Sequence, residues 1–120
     1  MAELKIAIAE DNPLMLELLS SILEAENGFQ VVGTADNGED AYQMIMEKEP
    51  DIVLLDVIMP KLDGITVLEK VREAKGGKNM PSIIMVTAAG NETVASAAFR
   101  NGASYYILKP FDREVLLDKI

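Results

Sequence analysis

Reactive side chains follow four apolar runs of this chain. Glu10 and Asp11 come after the first run, Asp56 after the second, Thr87 after the third and Lys109 after the fourth. An ionised carboxylate at the end of a buried strand is costly unless a partner or a ligand needs it there. Three carboxylates, one hydroxyl and one ammonium suit a divalent cation, a phosphoryl group and an acceptor carboxylate.

The position of these residues at the ends of apolar runs is what would bring them together. In a parallel sheet the carboxyl ends of the strands lie along one edge, and ligands bind in the crevice outside that edge. Although the five residues are spread over most of the chain, we expect them to converge there.

Composition narrows the possible chemistry. The 120 residues have the size of one domain, and 49 % are hydrophobic, which is enough to bury a core. The chain has no cysteine and no histidine, so disulfides, thiolate or imidazole metal ligands and histidine acid–base catalysis are excluded. A bound metal would have oxygen ligands, which favours magnesium, manganese or calcium.

Charge and hydropathy exclude two classes of partner. The net charge of −9 repels the phosphates of nucleic acids, so we expect no direct contact with DNA or RNA. The apolar runs are shorter than the roughly 20 residues that a membrane span needs. The N-terminus lacks the basic and apolar pattern of a secretory signal, and we expect a cytoplasmic location.

The alternation of short apolar runs with longer amphipathic stretches is typical of a parallel α/β sheet. Strands are predicted near residues 4–9, 30–35, 51–56, 82–87 and 104–108. Helices are predicted near residues 13–26, 38–48, 64–75, 91–101 and from 112 to the end.

The first predicted helix has an apolar stripe at Leu14, Leu18 and Ile22, with Leu19 and Leu23 beside it. Residues four positions apart lie on the same face of a helix, so this spacing indicates an amphipathic helix.

The last two predicted helices carry weaker patterns. The fourth has few large apolar side chains, Val94 and Phe99 among alanines, which predicts a helix that can shift at low cost. The fifth, with Asp112 as its expected N-cap, is very short. We therefore predict that residues 1–120 form one domain, the N-terminal part of a longer protein.

The three carboxylates could bind a metal and accept a phosphoryl group. Asp11 and Asp56 could each give magnesium one oxygen, and Glu10 could act directly or through water. Glu10 and Asp11 alone would be more typical of a solvated turn with a helix cap, but Asp56 at a second strand end favours a metal site. Asp56 is also the candidate to form an aspartyl phosphate.

Lys109 and Thr87 could bind the phosphoryl oxygens. Lys109 would supply positive charge to the transferring group. A lone lysine before a turn usually lies on the surface, but a cis Lys109–Pro110 bond would aim this ammonium into the site. Thr87 could donate a hydrogen bond, with space left by Ala88 and Ala89, although a lone threonine after a strand is usually a cap.

Four segments resemble, in order and spacing, the receiver domain of two-component response regulators. They are Ala9–Asn12, Leu54–Pro60 with Asp63–Gly64, Val86–Ala88 and Leu108–Phe111. The resemblance covers essentially the whole chain. It implies a doubly wound, five-stranded parallel sheet with strand order 2-1-3-4-5, the flavodoxin-like (βα)5 fold of CheY.

The resemblance implies how the acidic residues divide their roles. Asp56 would be the phosphoacceptor. Asp11, Asp56 and the backbone carbonyl of Ile58 would hold Mg²⁺, for which Mn²⁺ or Ca²⁺ could substitute, and Glu10 would contribute through water. Many receivers have two aspartates in the acidic pair, so Glu10 is a mild departure that could alter metal affinity.

The resemblance also implies a switch. Thr87 and Lys109 would contact the phosphoryl group, and Tyr106 would be the switch aromatic that turns inward as Thr87 moves. Without the resemblance, Tyr106 would be interpreted as a half-buried tyrosine of an edge strand.

The partners and the output follow from the same resemblance. A histidine kinase or phosphotransfer protein would donate the phosphoryl group while bound near the first helix. Phosphorylation would cause dimerisation, through helix 4, strand 5 and helix 5 or through helices 1 and 5, or would release a C-terminal DNA-binding domain. Such a domain is not a free-standing enzyme and catalyses only its own phosphorylation and slow dephosphorylation.

Two segments resemble a narrower group. Asp63–Lys70 and Gly102–Asp112 are similar to the receivers of sporulation transcription factors of the stage-zero regulator A type. This similarity predicts control of sporulation genes.

The residues two places after Asp56 and Thr87 are Ile58 and Ala89. Neither side chain can position an attacking water, so we predict slow loss of the phosphoryl group.

Two alternatives use the same fold class. A flavodoxin-like FMN binder should have a phosphate loop rich in serine, threonine and glycine after the first strand, where this chain has Glu10 and Asp11. A receiver that works without phosphorylation usually lacks one of the site residues, whereas all are present here.

Overall fold

In the computed structural model, which describes residues 3–120, five β-strands alternate with five α-helices. Each element lies within a few residues of its predicted position. The strands are β1 (Leu4–Ala9), β2 (Phe29–Ala35), β3 (Ile52–Leu55), β4 (Ser82–Thr87) and β5 (Ala103–Leu108). The helices are α1 (Pro13–Glu24), α2 (Gly38–Lys48), α3 (Gly64–Lys75), α4 (Glu92–Arg100) and α5 (Arg113–Lys119).

The strands form one parallel sheet in the order β2-β1-β3-β4-β5, which confirms the predicted doubly wound fold. All four residues of the central strand β3 are buried, as expected for a strand covered on both faces. The helices α2, α3 and α4 contribute to the core on one face of the sheet, and α1 and α5 contribute to the core on the other.

The apolar stripe of α1 is only partly buried. Leu19, Ile22 and Leu23 pack into the core, whereas Leu14 is 78 % exposed and Leu18 is 47 % exposed. The helix therefore presents the row that contains Leu19 and Leu23 to the sheet. In the neighbouring row, Leu14 and Leu18 face solvent and only Ile22 is buried, so the spacing predicted the helix but not which of its leucines are buried.

Side-chain caps begin most of the helices. Asn12, Asn37, Asp63 and Asn91 each accept hydrogen bonds from backbone N–H groups in the first turn that follows. Asp112 occupies the N-cap position of α5, as predicted, but its side chain makes no such bond. The residue type at a cap can be seen in the sequence. The capping hydrogen bond also depends on the side-chain rotamer, which the sequence does not specify.

Helix α4 is weakly anchored, as its composition predicted. It buries Ala98, while Val94 is half-buried and Phe99 is 50 % exposed.

No helix within residues 3–120 is long and apolar enough to cross a membrane.

Candidate functional site

The predicted site residues lie together at the carboxyl edge of the sheet. Glu10 follows β1, Asp56 follows β3, Thr87 ends β4 and Lys109 follows β5. Backbone hydrogen bonds continue the sheet past the strand ends: Asp56 N–H donates to the Ala9 carbonyl at 3.0 Å, and Lys109 N–H donates to the Thr87 carbonyl at 2.9 Å. The parallel pairing that builds the core therefore also positions the reactive side chains.

An ammonium lies between two buried carboxylates. The Lys109 ammonium donates to Glu10 Oε1 and to Asp56 Oδ2, the latter at 2.9 Å. Glu10 is 1 % exposed and Asp56 is 4 % exposed. The second oxygen of Glu10 accepts from Asn12 N–H at 3.0 Å. Each carboxylate thus has a charged partner, which buried carboxylates require.

Burial and pairing act against each other on the ionisable groups. Burial raises the pKa of the Glu10 carboxyl, although hydrogen bonds from Lys109 and Asn12 oppose this increase. Burial alone would lower the pKa of Lys109, but its hydrogen bonds to Glu10 and Asp56 outweigh that effect and raise it. Lys109 is therefore a firmly held cation at neutral pH.

The three carboxylates form a candidate metal site. Glu10, Asp11 and Asp56 each place one oxygen so that the three oxygens lie within 4.8 Å of one another. Asp11 is exposed at the rim, whereas the other two residues are buried. Carboxylate oxygens are the ligands that Mg²⁺, Mn²⁺ and Ca²⁺ prefer, so the donor set fits the predicted metal. Because Lys109 contacts two of these carboxylates, a bound cation would share them with the ammonium.

The loop after β3 lies with its backbone against the Asp56 carboxylate. Ile58 N–H donates to Asp56 Oδ1 at 3.1 Å, and the Ile58 side chain is 58 % exposed. Gly64, at the end of this loop, lies so close to Asp56 that a Cβ atom there would be 2.1 Å from the Asp56 carbonyl oxygen. From the sequence, Gly64 was predicted only to begin a helix and to belong to the receiver-like motif, so its close approach to Asp56 was missed.

Thr87 and Tyr106 meet at one residue, Ala89. The Thr87 hydroxyl is fully buried and accepts from Ala89 N–H at 3.2 Å. Tyr106 lies outside the acidic cluster, and its hydroxyl donates to the Ala89 carbonyl. Burial and the negative charge of Asp56 both raise the pKa of Tyr106. The sequence had suggested only that Ala89 leaves space, so its backbone contacts were missed.

The Lys109–Pro110 peptide bond is cis.

Comparison with known proteins places this arrangement in a family. The family model of the response regulator receiver domain matches residues 6–120. A chain in the crystal structure of the CheX-CheY-BeF3-Mg²⁺ complex from Borrelia burgdorferi is 32 % identical, with a TM-score of 0.90 over 98 % of this chain and 87 % of that chain.

Two further solved structures are similar. The signal receiver domain of the putative response regulator NarL from Mycobacterium tuberculosis is 28 % identical, with a TM-score of 0.88 over 98 % of this chain and 96 % of that one. A LuxR-family DNA-binding response regulator from Staphylococcus aureus is also 28 % identical, with a TM-score of 0.88 over 97 % of this chain and 94 % of that one.

Replacing Lys109 by methionine tests the charge balance of the site. We expect the free energy of unfolding in EDTA to fall by about 1–3 kcal/mol, because two buried carboxylates lose their hydrogen-bonded cation. Added Mg²⁺ should then stabilise Lys109→Met more than it stabilises the unmodified chain, since no ammonium competes for the carboxylates. Urea denaturation with and without Mg²⁺ measures both effects.

Lys78→Met is the matched control, because Lys78 is exposed in the turn after α3. Equal stability of Lys109→Met and Lys78→Met, with equal stabilisation by Mg²⁺, would contradict the charge-balance interpretation.

Proposed function

Because this chain belongs to the response regulator receiver domain family, we propose that it is a phosphorylation-dependent signalling switch whose phosphoacceptor is Asp56. The observation that carries the proposal is the buried Asp56 carboxylate, which is hydrogen-bonded to Lys109 beside two further carboxylates. Receiver domains of two-component systems are phosphoacceptor switches, and we propose that this one catalyses only its own phosphorylation and slow dephosphorylation.

The chemical step uses the groups already gathered at the sheet edge. An Asp56 oxygen attacks the phosphorus of a phosphohistidine, the phosphorus–nitrogen bond breaks, and its electron pair leaves with the imidazole. Lys109 and the Thr87 hydroxyl then bind the phosphoryl oxygens. The distance from Lys109 Nζ to Asp56 Oδ2 is 2.9 Å. It supports this role, because the new phosphoryl group would form next to the ammonium.

Magnesium is the proposed cofactor, with Mn²⁺ or Ca²⁺ as possible substitutes. Asp11, Asp56 and the Ile58 carbonyl would hold the ion, and Glu10 would act through water. When bound, the ion would supply positive charge to the phosphoryl oxygens. The acidic cluster supports this proposal, as does the presence of BeF3 and Mg²⁺ in the Borrelia burgdorferi complex.

The contacts at Ala89 suggest how phosphorylation of Asp56 would change the conformation of residues outside the site. Thr87 and Tyr106 bond to the N–H and the carbonyl of Ala89, respectively. If Thr87 turns toward the phosphoryl group, its hydroxyl loses the hydrogen bond from Ala89 N–H. Ala89 can then move, and the hydrogen bond from the Tyr106 hydroxyl to the Ala89 carbonyl changes with it. The weakly anchored α4, whose Phe99 ring lies 6.3 Å from the Tyr106 ring, would then shift population toward an active form.

The donor is proposed to bind at α1. Leu14 and Leu18 expose apolar surface on the helix that begins just after Glu10 and Asp11, so a histidine kinase or phosphotransfer protein seated there could reach Asp56. The similarity of residues 63–70 and 102–112 to sporulation regulators supports a phosphotransfer protein of a sporulation phosphorelay as donor.

Leu14→Ser with Leu18→Ser tests that donor. We expect much slower phosphotransfer from a purified sporulation phosphotransfer protein, because the apolar contact is lost, and unchanged labelling by acetyl phosphate. Gel-based transfer rates measure the difference. No transfer to the unmodified chain would contradict the sporulation assignment, and equal rates for chain and variant would contradict docking on α1.

The output is proposed to be transcriptional, through a C-terminal DNA-binding domain of a longer cytoplasmic regulator. An apolar surface on α4, β5 and α5 supports phosphorylation-dependent dimerisation, since four of its side chains are more than 40 % exposed, Phe99, Tyr105, Leu108 and Val115. An α1–α5 face is the alternative dimer surface. Sedimentation equilibrium with and without acetyl phosphate checks this, and a monomer in both states would contradict it.

The central prediction concerns the acceptor itself. Incubation with acetyl phosphate and Mg²⁺ should add one phosphoryl group, detected by intact-protein mass spectrometry. Asp56→Asn should remove the adduct, because the attacking oxygen is lost, and EDTA should remove it as well. Asp118→Asn, at an exposed position of α5, is the matched control and should react normally.

An adduct on Asp56→Asn would exclude Asp56 as the acceptor. A chain that binds Mg²⁺ but forms no adduct with any donor would favour the alternative of a receiver that works without phosphorylation. A coloured protein that retains FMN would favour the flavodoxin-like alternative, which the acidic residues after β1 oppose.

The lifetime of the phosphorylated form provides a further prediction. The exposed Ile58 side chain and the half-buried Ala89 offer no group that could orient a water at the phosphorus. Ile58→Asn should therefore speed loss of the phosphoryl group by about tenfold, equivalent to about 1.4 kcal/mol in the barrier. Mass spectrometry after removal of acetyl phosphate gives the rate, with Ile58→Val as the apolar control. Rapid loss that Ile58→Asn leaves unchanged would show the hypothesis to be wrong.

A further inference from the structure

We propose that Gly38, which lies in α2 and outside the acidic cluster, is a positioning residue that sets the affinity of the site for Mg²⁺. The inference rests on the proposed function, because it assumes that Asp56 and the Ile58 carbonyl hold the ion. Its basis is a close contact between the start of α2 and the loop that joins β3 to α3.

The contact leaves no space for a side chain. Gly38 N–H donates to the Pro60 carbonyl at 3.1 Å. A Cβ atom on Gly38 would lie 2.0 Å from the Leu62 carbonyl oxygen and 2.4 Å from Leu62 Cβ. These atoms belong to the backbone or sit next to it, so no rotation of a side chain can relieve the overlap. An alanine at this position must displace either α2 or the loop.

The start of α2 is firmly anchored, so the loop is the part that has to move. Asn37 is 7 % exposed, and its Oδ1 accepts from Asp40 N–H at 2.9 Å. Its amide nitrogen donates to a carboxylate oxygen of Asp36 and to one of Asp40, both at 2.9 Å. These three bonds keep the first turn of α2 rigid, and the fully buried Ala41 and Ile45 hold the helix against the core.

The loop itself is tightly folded where Gly38 contacts it. The Pro60 carbonyl that accepts from Gly38 also accepts from Leu62 N–H at 2.8 Å. The residue between them, Lys61, has a backbone φ of 71°, a conformation that residues other than glycine rarely adopt. Leu62 packs against the core. Such a turn persists only while its neighbours hold it, and Gly38 is one of those neighbours.

The far end of the loop is locked to the acceptor residue. Gly64 N–H donates to the Val57 carbonyl at 2.8 Å, and a Cβ atom on Gly64 would lie 2.1 Å from the Asp56 carbonyl oxygen. Between these two fixed points, Ile58 N–H is bonded to Asp56 Oδ1. A shift of the turn at Pro60–Leu62 cannot be absorbed at Gly64, so it reaches Ile58, only two residues before Pro60.

The competing explanation is that Gly38 serves packing alone. Alanine would then reduce stability without a specific effect on metal affinity. Gly33→Ala is the matched control, because a Cβ atom there would meet the α2 side chain of Met44, with Sδ at 3.0 Å. That contact is made by the flexible end of a side chain, and it does not involve the β3–α3 loop.

Isothermal titration with Mg²⁺, on variants shown to be folded by circular dichroism, separates the two explanations. We expect Gly38→Ala to raise the Kd for Mg²⁺ by about 10- to 100-fold, the range seen when groups that orient metal ligands are lost. Gly33→Ala should leave the Kd unchanged even if it lowers the melting temperature. An unchanged Kd in Gly38→Ala, or an equal rise in both variants, would overturn the inference.

The design distinguishes this inference from its premise. If the unmodified chain binds no Mg²⁺, the proposed function fails rather than the role of Gly38. If Gly38→Ala does not fold, Leu62→Ala replaces it, because truncating Leu62 removes the apolar anchor of the same turn. Met46→Ala, a truncation in α2 at the edge of the same core, is then the control. A raised Kd in Leu62→Ala alone supports the inference, and equal Kd values for the two variants overturn it.

Discussion

The burial of two carboxylates beside one ammonium is the constraint on which the rest of this structure depends. Glu10 and Asp56 are almost fully buried. Lys109, which is distant from both in the sequence, forms an ion pair with each of them. Two like charges removed from water repel each other and cost hydration, so they persist only with a cation in reach. The parallel sheet supplies that arrangement, because its pairing sets the ends of β1, β3 and β5 at one edge.

Much of this could be predicted from the sequence, because the relevant signals are local. Apolar runs and amphipathic spacing predicted the strands and helices, and the rule that parallel strands end at one edge predicted the meeting of Asp56 with Lys109. The strand order came from the resemblance of motifs, not from periodicity. The assigned chemical roles remain predictions, since proximity alone does not establish them.

What could not be predicted depends on contacts between distant segments. No local pattern distinguishes the exposed Leu14 and Leu18 of α1 from the buried Leu19 and Leu23, because all four are leucines at helical spacing. The approach of Gly38 to Leu62 and the joining of Thr87 to Tyr106 through Ala89 need the packed structure. The sequence shows that a position is glycine or alanine, but it does not show which distant residue packs against that position.

The slight anchoring of α4 has a consequence for how such a domain can diversify. Because α4 buries Ala98 while much of its surface faces solvent, substitutions on its outer face should alter the free energy of unfolding by no more than about 0.5 kcal/mol, as is usual for surface positions. Mutations can therefore accumulate on that face without endangering the fold, and through the proposed α4, β5 and α5 surface they would change the partner that is recognised. The buried site at the sheet edge has no such tolerance, so new specificities can evolve around unchanged chemistry.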